Sequence, residues 1–143
     1  MKHVWHNSML LEWIGPGREP FGLADTFRAV YANPNGELID CAAPDGMTTD
    51  GASIPWVAQL FIGNPFGGRY LPAAMLHDAA YANVLSVSVD GQPRSLRRQD
   101  ADWMFLELMR ACGVARWRRW AMYAAVRLFG SSWWAKHHKE AGK

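Results

Sequence analysis

Ala73-Ala74-Met75-Leu76-His77-Asp78-Ala79-Ala80-Tyr81 decides the reading of this chain. At about 100° per residue, Ala73, Ala74, Ala80 and Tyr81 fall within about 60° of His77 on a helical wheel. Small neighbours let a second helix approach the imidazole closely. Such a helix follows, through Asp102-Trp103-Met104-Phe105-Leu106-Glu107-Leu108-Met109-Arg110 to Cys112-Gly113, with Ser95 as its expected N-cap. Its apolar stripe takes Ala101, Met104, Phe105, Leu108, Met109 and Cys112, and the expected outward residues are Asp100, Glu107 and Arg110. Asp102 lies inside the stripe. A carboxylate among core positions is costly unless it is paired, and His77 is the natural partner.

Working outward, the first half reads as strands and loops. Met9–Ile14 is a candidate strand, and Thr26–Ala32 and Glu37–Ala42 flank Asn33-Pro34-Asn35-Gly36, a hairpin signal. The stretch 44–53 reads as loop, with Ser53 capping a short helix over Ile54–Phe61, and Gly63-Asn64-Pro65-Phe66-Gly67-Gly68 is a second loop. Asp50 and Ser53 either line a cleft with His77 or make turn and cap hydrogen bonds; capping is the commoner role. Helices are expected over about 72–84, 96–112 and 114–129, with a loop or small hairpin across 84–94. The expected architecture is one α+β domain over residues 1–143: a small N-terminal antiparallel sheet packed against a C-terminal three-helix unit whose first two helices run antiparallel. Within it, 1–62 is mainly β and loop, 63–130 is the helical His-Asp unit, and 131–143 is a basic tail rich in Trp and His.

The composition excludes several classes. Half of the 143 residues are apolar and 8 are Trp, which excludes a disordered chain. Cys41 and Cys112 are too few and too far apart for a disulfide framework, and read as buried thiols in a reducing compartment. No apolar run reaches the roughly 18 residues of a membrane span, and Met1–His6 has no signal-peptide core. The expected site of synthesis is therefore a cytoplasm.

Net charge is only +2, but residues 1–94 carry 5 basic and 9 acidic side chains while 95–143 carry 10 and 4. The basic half suits an anionic partner or is simply a solvated helical surface. No nucleic-acid motif accompanies it, so nucleic acid is not the expected partner. In the third helix, Trp117, Ala121, Ala124 and Leu128 have the spacing of a core stripe, with Arg116, Arg119 and Arg127 along another side; a basic interfacial helix is the competing reading. In the tail, Trp133-Trp134 beside Lys136 and Lys139 is a candidate contact with a membrane interface or a protein, and a frayed terminus is the plainer account of His137-His138. Neither these histidines nor His3 and His6 have a transition-metal ligand spacing with His77.

The Asp45–Pro55 segment, the Ala-Ala-x-x-His-Asp-x-x-Tyr helix, the Ala101-Asp102-x-x-Phe105-Leu106-Glu107 helix and Arg116-Trp117-Arg118-Arg119-Trp120 together resemble an uncharacterised family of phage and prophage proteins, domain of unknown function 1353. That resemblance covers nearly all of 45–130 and implies a phage origin, with the host cytoplasm as the site of synthesis and incorporation into the virion as an alternative fate. The His-Asp helix is also similar to the phospholipase A2 motif, in the parvovirus capsid type that carries alanines at the positions of Ala73, Ala74 and Ala80 and continues into an Ala-Asp-x-x-Phe helix. This second likeness covers about residues 63–109. It implies His77 as general base, Asp102 orienting the imidazole, Tyr81 in support, and calcium held by Asp78 with carbonyls of a loop represented by Gly63, Gly67 and Gly68. The spacing of that loop departs from the Tyr-x-Gly-x-Gly pattern of the enzymes. The functions implied are a calcium-dependent lipid esterase acting on phospholipid at entry or lysis, or else a tail, baseplate or head component bound to a phage structural protein, or an accessory protein bound to a host factor. No residue pattern fixes an oligomeric state.

Overall fold

A computed structural model describes residues 3–5, 11–13, 21–49 and 71–138. Its strands are β1 (His3–Trp5), β2 (Leu11–Trp13), β3 (Phe21–Leu23), β4 (Phe27–Ala32), β5 (Leu38–Ala43), β6 (Thr48–Thr49), β7 (Ser86–Val89) and β8 (Gln92–Pro93). Its helices are α1 (Leu71–Tyr81), α2 (Arg98–Ala111), α3 (Arg116–Phe129) and α4 (Ser131–His138). The architecture is α+β, as expected.

The central hairpin follows from its turn. Asn33 Oδ1 accepts from the backbone N–H of Asn35 at 3.0 Å and of Glu37 at 2.9 Å, and Gly36 supplies the positive φ of +82°. This fixes a register in which Phe27, Ala29 and Tyr31 oppose Ala43, Cys41 and Ile39, and all six side chains point into the core. Strand β4, weakly alternating as a sequence, therefore alternates cleanly in burial, with Val30 only half-buried on the opposite face. A second hairpin turns at Asp90-Gly91, both at positive φ (+52° and +78°), the geometry that two-residue hairpins use. Its first strand, β7, pairs with β5, so a segment from the helical half completes an antiparallel sheet of order β1-β4-β5-β7-β8. The other sheet, β2-β3-β6, includes Thr48–Thr49, which read as loop.

The helices cover one face of the larger sheet, α1 packing against β5 and α2 against β4 and β1. Trp103 Nε1 donates to the carbonyl of Ala32 at 3.4 Å, tying α2 to the end of β4. Helices α1 and α2 run antiparallel: the Cys112 thiol at the end of α2 meets the backbone of Ala73 near the start of α1, while Tyr81 at the end of α1 reaches Asp102. Met75, Leu76, Met104, Phe105, Leu108 and Met109 fill the space between them and the sheet.

Four local expectations are corrected. Helix α2 begins at Arg98, not after Ser95: Arg97 is the N-cap, and its backbone N–H donates to the Asp100 carboxylate at 3.0 Å. Glu107 is buried, not outward. In α3 the core face is Met122, Ala125 and Val126, whereas Trp117, Ala124 and Leu128 are exposed and Ala121 half-buried. Both stripes have helical spacing, and the one without an indole fits against α2, with Arg127 beside it reaching Asp102. The tail is not frayed through His138: α4 is a helix, and Trp134 packs on the core. The expected helix over Ile54–Phe61, its cap Ser53, and the glycine-rich loop lie outside the described residues.

The reassigned face of α3 has a measurable consequence. Met122→Ala is expected to cost about 2–5 kcal/mol of unfolding free energy, and Leu128→Ala to stay within about 0.5 kcal/mol of the parent; urea unfolding of the two variants checks the assignment, and the reverse order would restore the Trp117–Leu128 face to the core.

Candidate functional site

One wheel position on α1 and one on α2 create the site. His77 faces α2 because the alanines beside it leave room, and Asp102 faces α1 because the stripe that buries Phe105 and Met109 buries it too. His77 Nε2 and Asp102 Oδ1 are 2.8 Å apart. The same oxygen accepts the Tyr81 hydroxyl at 2.7 Å. On the other oxygen, Oδ2, Arg127 Nη1 from α3 donates at 2.9 Å, and Arg98 Nη1 stands at 3.6 Å, one turn before Asp102. Arg98 also donates to the carbonyls of Val126 at 3.0 Å and Arg127 at 3.3 Å, at the end of α3. A single carboxylate thus joins three helices.

The site is closed. His77 is 2% exposed and Asp102 0%. The imidazole stacks on Phe105, ring centres 4.4 Å apart and planes 25° apart, and meets Tyr81 at 4.4 Å on a tilt. Trp134 presents its edge to Tyr81 at 5.1 Å, and His138 stacks on Trp134 at 3.6 Å. Burial alone raises the Asp102 carboxyl, but the hydrogen bond and charge of His77, with the bonds from Tyr81 and Arg127, outweigh it and hold the group below the usual carboxylate range. Burial, and then the bond to Asp102, pushes the Tyr81 phenol well above its ordinary value. Tyr81 is therefore a neutral donor. The two thiols are likewise inert, Cys41 raised to about 12 and Cys112 to about 11 by burial.

Chemically, a His that donates through Nε2 to an ionised carboxylate keeps its lone pair on Nδ1, the arrangement of a general base. His77, Tyr81 and Asp102 are thus brought together. Asp78 is buried on a neighbouring face of α1 and is engaged in a contact of its own. Asp50, Ser53, Gly63, Gly67 and Gly68 lie outside the described residues. Among the described residues no three His, Cys, Asp or Glu side chains gather into a metal-binding cluster, and Asp78 is the one member of the implied calcium shell found there. The sequence reading missed Arg98 and Arg127. The i, i+4 spacing of Arg98 and Asp102 was a visible signal; for Arg127 no local pattern exists, because only the crossing of α3 over α2 directs it inward.

The comparisons with known proteins bear on this segment. The model of a family described as Protein of unknown function (DUF1353) matches residues 24–126. The chain belongs to this family. It is also similar to the Uncharacterized protein y4jT of Sinorhizobium fredii, 35% identical over 116 residues that make up 81% of this chain and 30% of y4jT. The chain spans less than a third of that relative's length. No solved structure matches it. The family segment contains His77, Tyr81, Arg98 and Asp102, and ends one residue before Arg127.

Two variants test the site's construction. Asp102→Asn is expected to lose about 1–3 kcal/mol at neutral pH, since an amide cannot accept from every donor. Because the folded carboxyl titrates below its unfolded value of about 3.9, its contribution is present above that pH and fades as pH falls through the folded pKa. Acid titration of the melting temperature should therefore be flatter below about pH 4 in Asp102→Asn than in the parent. In Gly130→Ala the new Cβ would stand 2.6 Å from the Tyr81 hydroxyl and 2.5 Å from the Val126 carbonyl. A lowered melting temperature is expected there, although alanine is the better helix former.

Proposed function

We propose that the protein is a hydrolase in which His77 is the general base, acting on the ester of a phospholipid. The observation that carries this reading is the 2.8 Å pairing of His77 Nε2 with an Asp102 whose carboxylate is itself fixed by Tyr81 and Arg127. Such fixing sets the tautomer and the ring orientation before substrate arrives. Nδ1 then takes a proton from water as its oxygen attacks the acyl carbon. Asp102 stabilises the imidazolium, and the proton passes to the leaving alkoxide as the ester C–O bond breaks, giving a fatty acid and a lysophospholipid. Calcium, held by Asp78 with carbonyls of Gly63, Gly67 and Gly68, would polarise the ester carbonyl. In the phage setting that the sequence resemblance implies, such an activity would serve entry or lysis.

A second reading has an observation of its own. With His77 and Asp102 almost wholly buried, three hydrogen bonds on one carboxylate and the Arg98 charge 3.6 Å from it, the cluster also serves as a polar clamp between helices. In that reading the protein is a non-enzymatic virion component of tail, baseplate or head, or an accessory protein that binds a host factor.

Incubating the protein with mixed phospholipid vesicles and millimolar calcium separates the two. Fatty-acid release in the parent, its loss in His77→Ala and its dependence on calcium are the outcome expected of the hydrolase. No release with or without calcium, together with a stability loss of about 1–3 kcal/mol in both His77→Ala and Asp102→Asn, would leave the clamp as the function of the pair.

A further inference from the structure

Helix α3 turns large apolar side chains to solvent in a row. Trp117 is 59% exposed, Trp120 46% and Leu128 72%. On a helical wheel these three lie within about 80° of one another, and they extend over about 16 Å of helix at about 1.5 Å per residue. Exposed Arg116 and Arg118 flank the row, and Arg118 keeps its guanidinium 5.3 Å from the centre of the Trp117 ring. Between Val114 and His138 the chain has five arginines and lysines and no aspartate or glutamate. This is the competing reading of the third helix, made concrete by the burial of its opposite face.

We infer that the outer face of α3 is a docking surface for an anionic phospholipid bilayer, with Trp117, Trp120 and Leu128 entering the interface and Arg116 and Arg118 meeting headgroup phosphates. Charge complementarity selects this occupant. Tryptophan indoles settle at the headgroup level, leucine goes below it, and arginine stems reach back to the phosphates. A nucleic acid would use the same cations but gains nothing from an exposed leucine at the end of the row. A protein partner that matched the apolar row would have to bring its own carboxylates for the arginines, whereas an anionic bilayer supplies both components over a continuous plane. The surface lies opposite the side of α3 that carries Met122 and Val126, and the inference does not require His77 to be catalytic.

Cosedimentation with vesicles of ether-linked phospholipids, which no esterase cleaves, reads binding apart from hydrolysis. At about 0.1 M salt, the full chain should bind equimolar phosphatidylglycerol–phosphatidylcholine vesicles and bind phosphatidylcholine alone at least about tenfold more weakly. Arg116→Glu/Arg118→Glu should remove that preference, and Trp117→Ala/Leu128→Ala should weaken binding to anionic vesicles by about tenfold or more, both with the parent's melting temperature. Unfolding of the second variant would show this face to be core and overturn the inference. So would absence of vesicle binding, binding unchanged in both variants, or binding to a DNA duplex as tight as to vesicles and lost in the arginine variant alone. Self-association of the parent that Trp117→Ala/Leu128→Ala abolishes, with no vesicle binding, would make the face an interface between copies and overturn it equally.

Discussion

The Asp102 carboxylate is the constraint around which the helical half is arranged. A bare carboxylate inside a protein is strongly disfavoured, and the fold offsets this with partners from three helices: hydrogen bonds to His77 and Tyr81 of α1 and Arg127 of α3, and the charge of Arg98 from its own helix. Each partner restricts where its helix can lie. Helix α1 must present two residues one turn apart, α2 must keep its first turns beside the end of α1, and α3 must cross where a long arginine reaches inward. Nonpolar packing by Met104, Phe105 and Met109 holds the helices together, but it tolerates sliding; the carboxylate does not.

The same arrangement serves stability and, under the proposed hydrolase, would serve chemistry as well. Closure around His77 removes water that would weaken the pairing, and the neutral Tyr81 phenol strengthens the carboxylate's hold without adding charge. Membership of a family described only as of unknown function assigns none of these residues a role. Their geometry is what distinguishes this cluster from an ordinary surface ion pair such as Arg94 with Glu37, which lies in solvent and ties the central hairpin to the segment after β8.

Legibility in the sequence followed the range of the interactions. The Asn33–Gly36 turn, the two antiparallel helices and the pairing of His77 with Asp102 depend on spacing within short segments and were readable there. Strand β7 was legible only as part of a loop or small hairpin over 84–94, because Ser86-Val87-Ser88-Val89 joins the large sheet only through its pairing with β5, more than forty residues earlier. The face of α3 escaped for a related reason: Trp117-Ala121-Ala124-Leu128 and Met122-Ala125-Val126 are both apolar rows, and periodicity alone does not rank two candidates. What decides is that the second row carries no indole to accommodate. Glu107 was placed outward by its chemistry and is buried in the fold, and nothing in its surroundings among the described residues accounts for this.

Helix α4 bears on the site in another way. Eight residues are too few to sustain a helix in water by their own hydrogen bonds, so α4 persists through the contact of Trp134 with Tyr81 and the stacking of His138 on Trp134. Its opening free energy is therefore a local quantity, smaller than that of the whole fold. Each such excursion bares the ring of Tyr81 while α1, α2 and the sheet stay folded. Solvent would therefore reach the phenol side of the His77–Asp102 pair through opening of the last helix, without unfolding of α1, α2 or the sheet.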